Sequence, residues 1–312
     1  MPAVGSFGSV NVDRVAPVSE ATVAELAATY DWFPAAGETV VAPGGDPPAA
    51  FDSYVDRTFI GGKGANQAVA AASAGADAAL FGHVGADHAD HAIRDALTGR
   101  GVDCGALSVV DCPTGSAHVF VTPDAENRIV VGAGANGRVD AAYAHTSVDR
   151  LRDVDVLLLQ NEIPLAASEA LLLALDGAMH RPTVVLDPAP SEGIEELLVH
   201  PSVDVVVPND RERAALAADG ALDGFDGTVV TTRGSGPVEV TGEPSFSVAP
   251  PSAAPVDTTG AGDVFTGYLA ARLAAGASLR AAVELAVEEG FVDEANVLEV
   301  ESTLHAQLLQ LA

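Results

Sequence analysis

Lysine is nearly absent from this chain: 312 residues carry a single one, Lys63, and arginine supplies the other side-chain cations that are charged at all pH values of interest. Acids outnumber Lys and Arg by 44 to 15, leaving a formal net charge of −29. The acids are spread along the whole length, so no basic face can be assembled and a nucleic-acid partner is not expected. So many carboxylates with so little lysine point to a solvated acidic surface and a halophilic protein, because salt screens carboxylate repulsion. Cysteine is scarce too. Cys104 and Cys112 make no disulfide framework and have no metal-type spacing, so free thiols in a reducing compartment are expected. No run of 18 apolar residues occurs, which argues against a membrane span. No charged start followed by an apolar stretch reads as a secretory signal, so a cytoplasmic protein is expected. Aromatics are 5% against 48% apolar residues overall, which predicts a core of small side chains.

What is present is an alternation. Short apolar runs at 78–81, 154–159, 183–186, 203–207 and 228–232 read as strands, and the stretches 166–179, 210–219 and 264–288 read as helices. Strands that are apolar almost throughout, separated by helices, imply a mostly parallel sheet covered on both faces. Ligands of such sheets sit at the carboxyl ends of the strands. Polar residues fall there: Gln160-Asn161-Glu162, Asp187, Asn209-Asp210 and Arg233-Gly234-Ser235. Two segments break the alternation. Residues 34–60 are rich in Pro and Gly, and residues 106–131 hold two strand-like runs joined as a hairpin by Pro123–Asn127.

Two glycine clusters carry the chemistry. Asp257-Thr258-Thr259-Gly260-Ala261-Gly262-Asp263 runs straight into an amphipathic Ala/Leu pattern, which reads as a loop turning sharply into a helix. Such a turn aims several backbone N–H groups at one spot, suited to an anion. Gly260, Ala261 and Gly262 lack bulk, so phosphate oxygens can approach. Asp263 stands at the rim, equipped to take a hydroxyl proton while the amides hold the transferring oxygens. About 200 residues earlier comes Gly61-Gly62-Lys63-Gly64-Ala65-Asn66-Gln67-Ala68, also ahead of an Ala-rich helical pattern.

Together these loops resemble the paired signatures of the ribokinase-like (pfkB) carbohydrate kinases, over residues 3–287. The resemblance implies a single three-layer α/β/α domain over 1–312, with a mostly parallel central sheet and a small β-sheet lid formed by about 12–60 and 106–134. It implies ATP-dependent phosphorylation of a sugar hydroxyl, with ribose converted to ribose 5-phosphate, and Asp263 as the base. The sugar-binding residues it implies are Asn11, Asp13, Gly62, Lys63, Asn66 and Glu162. Asn209 and Glu212 match its Asn-x-x-Glu element, which orders water around Mg²⁺ and the phosphates, although the same spacing is a helix capping box. Thr232 and Gly234 match its nucleotide loop. The backbone at Asp257 and Thr259 could offer carbonyls to K⁺. In that family the lid also makes the dimer contact, so a homodimer is expected.

Other patterns are rejected. Gly132–Gly137 fits the dinucleotide fingerprint but sits mid-chain after a lid strand. Lys63 is followed by glycine, so the loop is no Walker A motif. His83, His88 and His91 are expected to be exposed residues and no metal site. One departure stands out: residues 286–303 do not match the family's closing segment, which packs on adenine and completes the K⁺ site. That departure bears on K⁺ activation and the adenine pocket and suggests, as one alternative, a sugar-binding relative without catalysis; a kinase for another acceptor (a ketohexose, 2-keto-3-deoxygluconate or a nucleoside) is a separate alternative.

Overall fold

Apolar residues alternate between two cores along the central strands, and this is what makes the sheet a middle layer. The computed structural model describes residues 1–124, 126–176, 180–234, 236–250 and 260–290. In chain order the strands are β1 (Ala3–Phe7), β2 (Asn11–Pro17), β3 (Thr39–Val41), β4 (Arg57–Gly61), β5 (Asp77–Gly85), β6 (Val102–Val110), β7 (Gly115–Val121), β8 (Asn127–Gly132), β9 (Val156–Leu159), β10 (Thr183–Leu186), β11 (Val205–Val206), β12 (Thr228–Thr231), β13 (Val238–Thr241) and β14 (Phe246–Val248). The helices are α1 (Glu20–Thr29), α2 (Lys63–Ser73), α3 (Ile93–Thr98), α4 (Ala141–Leu151), α5 (Leu165–Leu175), α6 (Glu195–Leu198), α7 (Asp210–Ala218), α8 (Ala261–Ala274) and α9 (Leu279–Gly290).

Nine strands form the large sheet in the order β14-β13-β12-β11-β10-β9-β1-β5-β6. The seven from β12 to β6 are parallel, and β13 and β14 add an antiparallel edge. Val4, Val156, Leu158 and Val185 face a core shared with α2, α8 and α9. Phe7, Leu157, Leu159 and Leu186 face the opposite core, shared with α4, α5 and α6. This is the three-layer α/β/α arrangement expected of apolar strands separated by helices. The chain goes from β1 to β5 and β6 on one side, then crosses to β9 on the other. The carboxyl ends of β1 and β9 therefore form a topological switch point, the usual place for a ligand crevice.

A second sheet has five strands in the order β3-β8-β7-β2-β4. The hairpin expected around Pro123–Asn127 is the β7–β8 pair, with Val119 opposite Ile129. Residues 102–110 pair with β5 in the large sheet, so the small sheet takes up the chain only from Gly115. One face of it is closed by α1 and the following loop. Phe33, Phe51 and Phe120 are buried there among Ala16, Val23 and Val130, with ring edges meeting faces.

Two expectations need correction. The helical stretch 264–288 is two helices, because Gly276 takes a left-handed φ of +82° after α8 and turns the chain before α9. None of the three histidines is exposed: His88 and His91 are half-buried, and His83 is buried on β5, with its ring 4.5 Å from that of Tyr143. No cluster of three or more His, Cys, Asp or Glu among the described residues could hold a metal ion. No helix among them is long and apolar enough to cross a membrane.

Candidate active site

Both glycine loops end at helix N-termini, and the two termini are used differently. Gly62 caps α2 with φ +91°, a conformation that favours glycine, and a Cβ there would lie 2.9 Å from the Asn11 nitrogen. The first amides of α2 are already spoken for. Lys63 N–H donates to Glu162 Oε2 at 3.0 Å, Gly64 N–H to Ser9 Oγ at 3.3 Å, and Ala65 N–H to the Ser9 carbonyl at 3.0 Å. Ser9 Oγ also donates to Glu162 Oε2. The protein's own carboxylate thus occupies the positive end of α2.

At α8 the cap is Gly260, with φ +74°. The first helical bond runs from Val264 N–H to the Gly260 carbonyl at 3.0 Å. Ala261, Gly262 and Asp263 therefore stand ahead of the helical ladder. A Cβ on Gly262 would meet nothing within 4 Å among the described residues, and Gly262 is exposed, so none of those residues fills this terminus. No protein carboxylate caps it among the described residues: the Asp263 side chain turns away, towards α2.

Asp263 is 4% exposed and joins the two loops. Its Oδ1 accepts from Gln67 Nε2 at 2.9 Å and from Lys63 Nζ at 3.4 Å, and its Oδ2 accepts from Asn66 Nδ2 at 3.1 Å. The helices meet this closely because Gly267 leaves room. A Cβ there would be 2.5 Å from Ala70 Cβ. Lys63 Nζ also donates to Asp187 Oδ2 at 3.1 Å, at the end of β10. Burial alone would lower the Lys63 pKa, but the carboxylates of Asp187, Asp263, Glu162 and Glu212 outweigh it and hold the ammonium well above its ordinary value. Burial pushes Asp187 up, with Lys63 opposing.

Asn11 and Asp13 leave β1 through the β1–β2 corner and enter the small sheet opposite Gly61 and Phe59 of β4. Asn11 Oδ1 accepts from Asn136 Nδ2 at 2.8 Å, and Asn136 also bridges both backbone groups of Val10. Asp13 lies over Gly61, where a Cβ would sit 2.0 Å from its Oδ2, and its Oδ1 is inaccessible and has no partner. Burial, then the charges of Glu162 and Asp263, raise its pKa to about 7.

Asn209 and Glu212 form the capping box of α7: Glu212 N–H donates to Asn209 Oδ1 at 2.9 Å and Asn209 N–H to Glu212 Oε2 at 2.8 Å. Thr232 lies alongside, its N–H donating to the Pro208 carbonyl at 3.0 Å, and Gly234 is exposed with φ +51°. Asp257 and Thr259 lie outside the described residues. The structure thus brings together Asn11, Asp13, Gly62, Lys63, Asn66, Glu162 and Asp263, and sets Asn209, Glu212, Thr232 and Gly234 at neighbouring strand ends. Sequence reasoning missed Ser9 and Gln67, placed Asn136 near the substrate only through the family's Gly-Ala-Asn, and left Asp187 and Gln160 as strand-end residues without a role. Their signal was position: all lie in or beside the glycine loops or at carboxyl ends of strands.

An open helix N-terminus beside a buried carboxylate, at the switch point of a parallel sheet, has the makings of an α/β phosphotransferase. The family model described as pfkB family carbohydrate kinase matches residues 56–290. A ribokinase of Bacillus subtilis is 34% identical over 274 residues, covering 84% of this chain and 86% of that protein. The structure of a ribokinase from Thermotoga maritima has a TM-score of 0.75 at 24% identity, covering 99% of this chain and all of that one. That of Arabidopsis thaliana ribokinase complexed with ribose and ATP has a TM-score of 0.71 at 25% identity, covering 92% and 90%. This chain belongs to the pfkB family of carbohydrate kinases. It is a phosphotransferase with an alcohol group as acceptor.

Proposed function

We propose that this enzyme moves the γ-phosphoryl group of ATP to the primary hydroxyl of ribose. The convergence of both glycine loops on Asp263 carries the reading. The likeness to proteins named ribokinase, one of them complexed with ribose and ATP, supports the choice of substrates. Asn11, Asp13, Gly62, Lys63, Asn66 and Glu162 hold the sugar from two sides, with Asp13 and Glu162 accepting from its hydroxyls. Asp263 takes the proton of the attacking hydroxyl, and the amides of 260–263 face the charge that develops on the transferring group. Lys63 carries a fixed positive charge to the same place. Thr232 and Gly234 border the nucleotide.

Four carboxylates, Asp187, Asp263, Glu162 and Glu212, act on the Lys63 ammonium, and a fifth, Asp13, feels Glu162 and Asp263. A polyphosphate entering beside them fits only with a divalent cation. Oxygen donors without a dedicated cage suit Mg²⁺, which keeps its waters and binds substrate phosphates. Asn209 and Glu212 would hold it through water, and when bound it neutralises charge on the transferring phosphates. The role of Asp257 and Thr259 towards K⁺ stays a proposal of the same kind.

The face of the small sheet that presents Asn11 and Asp13 continues through Val15, Val119, Ile129, Val131 and Val41, of which Val41 is 59% exposed. We propose that two copies pair through this apolar face, which sedimentation would report as a dimer. The catalytic reading is tested by Asp263→Asn with a panel of sugars, ATP and Mg²⁺ in molar KCl. Turnover on ribose should fall at least about a hundredfold with sugar binding kept. Turnover near that of the unaltered enzyme removes Asp263 as the base. A better acceptor than ribose in the panel overturns the substrate.

A further inference from the structure

Two buried amides behind the candidate base carry an inference of their own. Gln67 and Gln160 are 0% and 1% exposed, so neither opens to solvent. Gln67 Nε2 donates to Asp263 Oδ1 at 2.9 Å and to Asp187 Oδ2 at 2.8 Å. Carboxylate oxygens only accept here, so the nitrogen end of Gln67 has to face them and its oxygen has to face away. That oxygen accepts from Gln160 Nε2 at 2.6 Å. The second N–H of Gln160 meets Ser6 Oγ at 3.4 Å, and Ser6 spends its own proton on the Gly64 carbonyl at 2.8 Å.

Gln160 is thereby committed as a donor on both hydrogens. The consequence is visible at its other end, because Gln160 Oε1 is buried and has no hydrogen-bond partner among the described residues. The chain also gives up a side chain to seat it: a Cβ on Gly8 would lie 1.8 Å from that oxygen. An orphaned buried acceptor and a forced glycine are both unfavourable, and both keep the Gln160 amide in one orientation. The effect reaches Asp263. Its Oδ1 is filled by Gln67 and Lys63, whereas among the described residues Oδ2 accepts only from Asn66, at 3.1 Å, and keeps a lone pair.

We propose that Gln67 and Gln160 are a positioning pair for phosphoryl transfer: Gln160 fixes the direction of the Gln67 amide, and Gln67 holds Asp263 so that Oδ2 is the atom offered to the acceptor hydroxyl. This rests on the reading of Asp263 as general base. Among the described residues Gln160 hydrogen-bonds no carboxylate, so its influence passes through Gln67.

The test uses Gln67→Met, Gln160→Met, the double variant and Asp263→Asn, each in the full chain. Three quantities are read with ribose: kcat, KM for the sugar, and the ratio of ATP hydrolysed to sugar phosphorylated. Gln160→Met should lower kcat about tenfold with KM for the sugar within about threefold, as expected when the base is displaced while the groups that bind the sugar stay in place. The hydrolysis ratio should rise, because a misdirected base favours the hydroxyl less over water. That ratio does not depend on how much of the variant is folded, so it can be read on whatever active fraction remains. The double variant should fall no more than about twofold below Gln67→Met, since one residue acts through the other. An unchanged ratio in Gln160→Met, or reductions that multiply in the double variant, overturns the pairing. Unimpaired turnover in Asp263→Asn overturns the base assignment itself, which the other variants do not address.

Discussion

Replacing Asp13 by asparagine should make the folded protein harder to unfold and the sugar harder to hold. Burial and the charges of Glu162 and Asp263 raise the Asp13 pKa from 3.8 to about 7, and its Oδ1 has no partner. A group whose folded pKa is raised favours the native state only while protonated. Its contribution is complete below the unfolded pKa and is lost as pH climbs through the folded one. At about 1.4 kcal/mol per unit, the raised pKa costs roughly 4 kcal/mol at pH 8 and only about 1.5 kcal/mol at pH 5. Asparagine keeps the shape and drops the titration. Urea unfolding of both proteins should therefore show the variant's advantage growing by roughly 2–3 kcal/mol from pH 5 to pH 8. Sugar hydroxyls that donate to the ionised carboxylate supply what the empty pocket withholds. Ribose binding at pH 6 should then release about one proton, seen by calorimetry in buffers of different ionisation heat, and the variant should release none. A stability difference that is flat between pH 5 and pH 8 would refute the reasoning at its first step.

Lys63→Met should reduce turnover by about a hundredfold or more, because it removes the ammonium on which four carboxylates act, and steady-state kinetics would show it. Gly267→Ala should destabilise by about 1–3 kcal/mol, since its Cβ would lie 2.5 Å from Ala70 Cβ and 2.6 Å from the Gln67 carbonyl oxygen. Thermal melts give that value, and a neutral substitution would show that α2 and α8 can part. The melting temperature should climb steadily from 0.1 to 2 M KCl as salt screens a net charge of −29. A flat response would remove the reading of a halophilic surface.

The parts of this molecule that sequence made legible are those governed by short-range pattern. β9, β10 and β12 sit within the runs of apolar residues that announced them, and the Pro123–Asn127 turn joins the hairpin it suggested. The two glycine clusters named both helix N-termini of the site. What stayed hidden depends on contacts between distant segments. Gln67 stands in the first glycine cluster, but its value comes from Asp187, Gln160 and Asp263, which lie 93 to 196 residues away. The run 203–207 shortens to the two-residue strand Val205–Val206, although Asp204 N–H still donates to the Val184 carbonyl and Val207 N–H to the Leu186 carbonyl. The break between α8 and α9 was masked by alanines on both sides of Gly276, which preserve a helical composition through a turn.

The division of labour between the sheets has an evolutionary corollary. Asn11 and Asp13 belong to the five-stranded layer, whereas Asp187, Asn209, Thr232 and the α8 terminus belong to the nine-stranded one. On the proposed reading the alcohol is gripped from both layers, by Asn11 and Asp13 of the smaller one and by Lys63, Asn66 and Glu162 beside the larger, so redrawing the minor layer alone would alter half of that grip and leave the phosphate side untouched.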